Sequence, residues 1–194
     1  ISHNTIHGCI LLAGSTDNTI RSNTIRYNRY GIELAFSSGN LIKTNTLNDN
    51  VRVGVMLVAH SNNNTVEDNT AKRCHYGAYV HDSQGNTIKK GEFSDGSVGI
   101  YLGNTTYTLI TDNNANHNTY GIYLRKSSYN TITGNVANSN ANYSYMIDLH
   151  SNENVLSDNR ASHSTKGSLY IGHSTHNTVS EEDYSDGTFG VMLL

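Results

Sequence analysis

The chain has 194 residues, 36% of them hydrophobic, a net charge of −3, and neither proline nor tryptophan. That length suits a single domain, and so mild a charge leaves no basic stripe for nucleic acid and no polyacidic tail. No apolar run is long enough to cross a membrane, no signal peptide or initiator Met is present, and Cys9 and Cys74 fall in different columns and coils, which argues against a bridge between them.

One cassette recurs from end to end. It reads Gly-Ile-x-Leu, about five polar residues, an Asn-Thr-Ile triplet, a second Asn-led triplet and a polar turn; the first copy is already under way at Asn4-Thr5-Ile6. The clearest copy runs Gly121-Ile122-Tyr123-Leu124, Asn130-Thr131-Ile132, Gly134-Asn135-Val136-Ala137. The leading Asn falls at Asn18, Asn40, Asn64, Asn86, Asn130, Asn154 and Asn177, with Thr108 holding the missing place, so the steps are 22, 24, 22, 22, 22, 24 and 23 residues. A second register gives Gly31, Gly54, Gly77, Gly99, Gly121 and Gly190, with Cys9, Met146 and Ser168 in place of Gly in the other copies. A repeat this short cannot bury its own apolar face, so copies must stack.

Within each copy the apolar residues alternate, as in Ile100-Tyr101-Leu102, which is the period of a strand. Short strands bounded by Gly, Asn, Ser and Asp, three per turn, predict an all-β parallel β-helix of about 22 residues per coil and eight to nine coils, a rod roughly 40 Å long at the usual inter-strand spacing. Four inward stacks follow. The first is Ile10, Ile32, Val55, Ala78, Ile100, Ile122, Ile147, Leu169, Val191 and the second Leu12, Leu34, Leu57, Val80, Leu102, Leu124, Leu149, Ile171, Leu193. The third runs from Ile20 to Val179, and a fourth, of smaller residues, from Ile25 to Tyr184. The Asn residues form two turn columns, one from Asn18 to Asn177 and one of Asn23, Asn45, Asn69, Asn113, Asn135 and Asn159, read first as fold-forming amide ladders. The absence of proline fits strands that donate backbone hydrogens on both sides. The whole chain, 1–194, reads as one domain that is a segment of a longer protein or a stacking unit, because no capping helix closes either end.

This cassette resembles the NosD-like, or CASH-type, repeats of the pectin-lyase-like superfamily over essentially the whole chain. The resemblance implies a right-handed parallel β-helix, export to the periplasm, cell surface or exterior, and a polysaccharide-related role. It also brings in copper handling, because the group includes accessory proteins of copper-enzyme maturation. No catalytic motif carries over: the Asp-Pro-His-Asp motif of alginate epimerases is impossible without proline, and the polygalacturonase set is missing.

Candidate chemistry lies on the outer face of the Gly-Ile-x-Leu strands. Its x positions read Leu11, Glu33, Met56, Tyr79, Tyr101, Tyr123, Asp148, Tyr170 and Met192, and two residues further come Arg125 and His150. Tyr79, Tyr101, Tyr123, Arg125, Asp148 and Tyr170 are the candidate glycan contacts: sugar rings stack on aromatic faces, and Arg and Asp bond hydroxyls or carboxylates. Arg125, Asp148 and His150 are the catalytic candidates, Arg125 neutralising a uronate and His150 or Tyr123 taking a proton. The bland alternative is that tyrosine favours strands and stacks on itself. Asp68, Asp112 and Asp158 share a turn column but stand two coils apart. His173 and His176, and His117 with His163, suggest no ligand set for a metal, and no cofactor is expected. The Thr19, Thr65, Thr87, Thr131, Thr178 column is broken by Leu41, Leu109 and Val155, against an ice-binding array. Sequons occur at Asn63, Asn104 and Asn142.

The leading expectation is an exported structural or carbohydrate-binding module whose partner is a polysaccharide, without membrane insertion. The alternatives are a polysaccharide lyase, epimerase or hydrolase using the same face, an end-to-end assembling surface unit, and a copper accessory protein.

Overall fold

The computed structural model describes residues 8–194, so the Asn4-Thr5-Ile6 triplet lies outside the described residues. Among them the chain winds as a parallel β-solenoid of about eight turns, without helix. Nine strands, from Gly8–Ala13 to Val191–Leu193, pair in sequence as one sheet, and eight three-residue strands, from Thr19–Arg21 to Thr178–Ser180, form a second. The third side is thinner than expected. It is mostly single bridges, from Thr24↔Thr46 to Val136↔Arg160, and widens to paired strands only where Arg160–Ser162 meets Asp183–Ser185.

The expected inward stacks fill the tube in six of the seven inner coils; Ile32, Leu34, Ile42, Leu47, Ile100, Leu102 and Ile110 are fully buried. In the outermost coil Val179, Val191 and Leu193 are exposed. The seventh coil departs from the expected register. Ile122 pairs with Tyr145, Tyr123 with Met146, Leu124 with Ile147 and Arg125 with Asp148. Tyr145 therefore enters the first stack, Ile147 moves to the second, and Leu149 leaves the core for a turn with φ 54°. Its Gly place is filled by Ser144, not Met146, as the pairing of Tyr143 with Gly167 and Tyr145 with Leu169 requires. The cause is the placement of the two extra residues. One precedes the strand Tyr143–Asp148 and one follows it, whereas Met146-Ile147-Asp148-Leu149 imitates the apolar alternation two positions downstream. The large Tyr145 ring fits because the fourth stack narrows to Ala137 and Ala161 beside it, and its hydroxyl donates to the carbonyls of Asn135 and Arg160 at 2.9 and 3.2 Å.

The glycines of the long strands answer to packing. A Cβ on Gly54, Gly77 or Gly99 would lie 2.6–2.7 Å from the carbonyl oxygen of the next coil's glycine and against Ala71, Phe93 or Ala115. The long strand here runs too close to the third side of the tube for any side chain.

Each coil turns four corners, and each corner uses a residue in the left-handed region, in most cases directly followed by an inward Asn or Ser. Thr44 (φ 57°) precedes Asn45, Tyr27 (φ 59°) precedes Asn28, and Phe36 (φ 52°) precedes Ser37. The inward side chain accepts the backbone N–H of its counterpart one coil earlier. Asn113 N–H donates to Asn135 Oδ1 and Asn135 N–H to Asn159 Oδ1, both at 3.0 Å. Beyond the two Asn columns there is a third, seen where Asn28 N–H donates to Asn50 Oδ1 and Asn118 N–H to Asn140 Oδ1. A serine column completes the set: Ser37 N–H donates to Ser61 Oγ, and Ser127 N–H to Ser151 Oγ. These columns satisfy buried turn amides that the sheets cannot reach.

Breaks in the columns are informative. Thr108 stands in an Asn place, and both its Oγ1 and the facing Asn86 Nδ2 are buried without a partner. Cys74 takes another Asn place, donating its thiol to the Leu47 carbonyl, and burial pushes its pKa up to about 11. Two outcomes follow. Thr108→Asn should raise the urea midpoint by the equivalent of about 1 kcal/mol by pairing Asn86, whereas Asn135→Ala should cost at least about 2 kcal/mol by stranding amides in two coils. Cys74 should resist Ellman's reagent at pH 8 in the folded protein and react on unfolding, because its thiol stays protonated there.

Candidate active and binding face

The outer surface of the nine-stranded sheet gathers the aromatic side chains. Tyr79 pairs with Tyr101 and Tyr101 with Tyr123 in exact sequence of coils, with ring centroids 5.1 Å and 5.5 Å apart. Tyr170 is separated from them by Met146, which takes the x position expected for Asp148. A second column stands beside the first and was not read from the sequence: Tyr30, Tyr76, Tyr120 and Tyr143, each the first residue of its strand. Tyr76 lies 5.1 Å from Tyr79 and 5.6 Å from Tyr101, and Tyr120 lies 5.6 Å from Tyr123. Residues three apart share a face because the alternation breaks after the first residue, where the glycine and its successor are both buried. The signal was available as the recurring Tyr-Gly of Tyr30-Gly31, Tyr76-Gly77 and Tyr120-Gly121.

Cations border this aromatic field. The Arg29 guanidinium lies 5.3 Å from the Tyr30 ring and Lys166 Nζ 6.0 Å from the Tyr143 ring. Arg52 lines a depression of about 250 Å³ with Tyr30, Val53, Met56, Tyr76 and Tyr79. At the other border Arg125 and Asp148 occupy one column in successive coils. The half-buried Asp148 accepts the Leu149 N–H at 2.8 Å and lies 3.4 Å from His173 Nδ1. His150 is not on this face. It follows Leu149 as a second left-handed residue (φ 63°), is exposed, and donates its N–H to the His173 carbonyl.

The electrostatics disfavour a tyrosine base. Burial pushes the Tyr79 phenol up to about 12 and raises Tyr101 and Tyr123, with the Asp148 charge adding to the rise at Tyr123 and Arg125 opposing it at both. Burial and Asp148 also raise Tyr170. At neutral pH these phenols are protonated donors and cannot take a proton in the manner envisaged for Tyr123.

The other candidates are dispersed. Asp68, Asp112 and Asp158 share one corner column, two coils apart, at φ 52–56°. The threonine column faces outward on the short-strand sheet, in register with Leu41, Leu109 and Val155. Asn63 and Asn104 are exposed corner residues, and Asn142 is half-buried.

The family profile described as "Periplasmic copper-binding protein (NosD)" matches residues 1–71 and 60–194, the full length of the chain. The chain belongs to the NosD family. Comparison with curated proteins finds no match. Among solved structures, a mutant of the periplasmic alginate epimerase AlgG superposes with a TM-score of 0.71 at 18% identity, over 96% of this chain and 48% of that one. An alginate lyase from Paenibacillus sp. str. FPU-7 gives 0.72 at 12% identity, over 90% and 74%. PfbA, a surface adhesin of Streptococcus pneumoniae, gives 0.65 at 14%, over 94% and 62%. These likenesses are to the fold, and this NosD-family chain spans about half the length of the epimerase.

The family description prompts a test for copper. Among the described residues no three His, Cys, Asp or Glu side chains converge on one point. Neither cysteine is in a disulfide, the two lie in different coils, and Cys74 is buried. Met56, Met146 and Met192 share the outward x column, but at least two coils separate any pair, roughly 10 Å. His173 and His176 instead lie beside carboxylates, Asp148 and Glu153. The described donors do not fit a copper site.

The raised phenols give a measurable signature. Tyrosinate absorbance at 295 nm should show ionisations above the ordinary pH 10, one of them near pH 12 that Tyr79→Phe removes. Because the folded pKa values lie above the unfolded ones, the stability they contribute is complete below about pH 10 and lost as pH climbs through the folded values. Unfolding midpoints should therefore fall above pH 10.

Proposed function

We propose that this chain is an exported glycan-binding module whose long-strand face holds an acidic polysaccharide along the solenoid axis. The observation that carries this reading is the two-column tyrosine field bordered by Arg29, Arg52, Arg125 and Lys166. Coils repeat at roughly 4.8 Å, close to the advance of one sugar per residue in an extended glycan, so successive rings can meet successive tyrosines. The tyrosines offer flat apolar surface and protonated hydroxyls, and the cations at the border meet carboxylates that the open surface leaves partly hydrated. Export is supported by the periplasmic description of the family and of AlgG. The fold neighbours include an alginate epimerase and an alginate lyase, which supports the ligand class, and the surface adhesin PfbA, which supports a surface-binding role.

A catalytic reading draws on one observation: Asp148, within 3.4 Å of His173 Nδ1, stands in the column of Arg125 and perturbs Tyr123 and Tyr170. His173 then replaces His150 as the base candidate, with Arg125 at the uronate.

The deciding experiment is calorimetric titration with oligomannuronate and oligogalacturonate, alongside an assay for new reducing or unsaturated ends. Binding without product is expected. It should weaken at least tenfold in Tyr101→Ala/Tyr123→Ala, the loss of about 1.4 kcal/mol or more of stacking, and fall with added salt. Product that His173→Ala abolishes would replace the binding module with an enzyme, and no binding by either acidic glycan would remove both readings.

A further inference from the structure

A different face of the solenoid carries a second, unlike surface. It lies between the corner that ends each long strand and the corner that begins each short one. Its middle row is Gln84, Thr106 and Ser128, aligned by parallel bridges, with the inward Ser83, Thr105 and Ser127 beneath. The first corner presents Asp82, Asn104 and Lys126, and the second presents Gly85, Tyr107 and Tyr129.

Two observations on this face are independent of each other. The first is the tyrosine pair. Tyr107 and Tyr129 are 65% and 52% exposed, and their rings stack with centroids 5.5 Å apart and planes at 19°. Both are held at positive φ, 55° and 60°, in a column whose earlier coils use Asp17, Gly39, Asn63 and Gly85. A bulky residue is a poor choice for this conformation, and neither ring contributes to the core. Parallel rings one coil apart turn their outer faces along the column. The corner of the preceding coil is Gly85, which has no side chain of its own and carries the Asn63 side-chain oxygen packed against it, so the exposed Tyr107 ring borders an amide there.

The second is a polar depression of about 270 Å³ on that same side, lined by His60, Asn62, Asp82, Ser83, Gln84, Asn104 and Thr106. Asp82 accepts from Asn104 Nδ2 at 2.6 Å and lies 2.9 Å from His81 Nδ1. That volume is below the usual range for drug-sized ligands and suits one sugar ring. Its walls offer amides, hydroxyls and one carboxylate, the groups that read a diol.

We infer that the Asp82–Asn104 depression and the Tyr107–Tyr129 stack together form a second carbohydrate site, specific for a neutral, hydroxyl-rich glycan. One sugar sits in the depression with hydroxyls on Asp82, Asn104 and Gln84, and its neighbour lies on the exposed Tyr107 ring beside the Asn63 amide. The charges select against a uronate. Asp82 lines the depression and Glu153 follows Tyr129 in the corner column, so two carboxylates face one lysine, Lys126, with His60 and His81 beside Asp82, in contrast to the cation border of the long-strand face. The inference does not rest on the proposed acidic-glycan face, which uses other residues and another ligand class.

The test is saturation-transfer NMR and calorimetry of the full chain with cellohexaose, mannohexaose and maltohexaose. At least one should bind, weaken tenfold or more in Tyr107→Ala/Tyr129→Ala and in Asp82→Asn, and bind unchanged to Tyr101→Ala/Tyr123→Ala. Far-UV circular dichroism checks each fold. Should the double tyrosine variant fail to fold, broadening of the Tyr107 and Tyr129 ring resonances in the unaltered protein reads the same contact. Failure of all three neutral hexasaccharides to bind overturns the site, and so does binding that only the Tyr101→Ala/Tyr123→Ala variant abolishes.

Discussion

Everything in this solenoid hangs on how a chain turns a tight corner without leaving backbone amides unpaired inside it. Parallel sheets satisfy the strands, but each corner directs an N–H along the axis that no strand carbonyl meets. The answer is a left-handed residue that reverses the chain, followed by an inward Asn or Ser that accepts the amide of the preceding coil. Asparagine does more than serine, because its Nδ2 carries two hydrogens to donate where the serine hydroxyl, which also donates to a carbonyl, carries one. Asn45 Nδ2 reaches the Ile20 and Lys43 carbonyls and Asn69 Oδ1. Four such columns line the tube, and a core of modest apolar content needs only one apolar side chain per stack in each coil.

That device also decides where function can be placed. Inward positions are committed to the core or to the columns, whereas outward positions make few demands on the fold. On the long strands the outward residues are pleated and close, giving a continuous surface of rings. At the corners the left-handed residue throws its side chain away from the tube, giving exposed groups such as Tyr107, Lys126 and His150. The two outward environments therefore suit different ligands: a broad stacking field on the sheet, and discrete contacts over a narrow depression at the corners.

Most of the architecture was legible because its determinants are local and periodic. The alternation of Ile and Leu about Tyr101 and Tyr123 fixes which residues face inward, and the Asn spacing fixes the coil. The candidate site was legible only where the coil length was regular: Tyr79, Tyr101, Tyr123 and Tyr170 fall in the expected column. Asp148 and His150 were misplaced because a two-residue insertion leaves no trace of where each residue goes. Gly54 marks the register of the other 24-residue coil, whereas Ser144 marks nothing and Met146-Ile147-Asp148-Leu149 supplies a false match. The Tyr30, Tyr76, Tyr120 and Tyr143 column was missed for a different reason. A strict two-residue period assigns them to the wrong side, because the two residues after each of them are both buried.

The displaced register changes the chemistry available, not merely its labels. With Asp148 at an x position, a carboxylate would interrupt the tyrosine column and repel an acidic glycan at its centre. With Met146 there instead, the column stays apolar from Tyr123 to Tyr170, and Asp148 moves to the border, beside Arg125 in the next column and within reach of His173. A neutral centre with charge confined to its edges is what a stacking surface for a charged polymer requires: rings contact rings, while carboxylates are met where water still screens the like charge of Asp148. The one extra residue on each side of Tyr143–Asp148 thus keeps the inward alternation intact while moving an acid off the contact surface, and the cost of the insertion is confined to the turns.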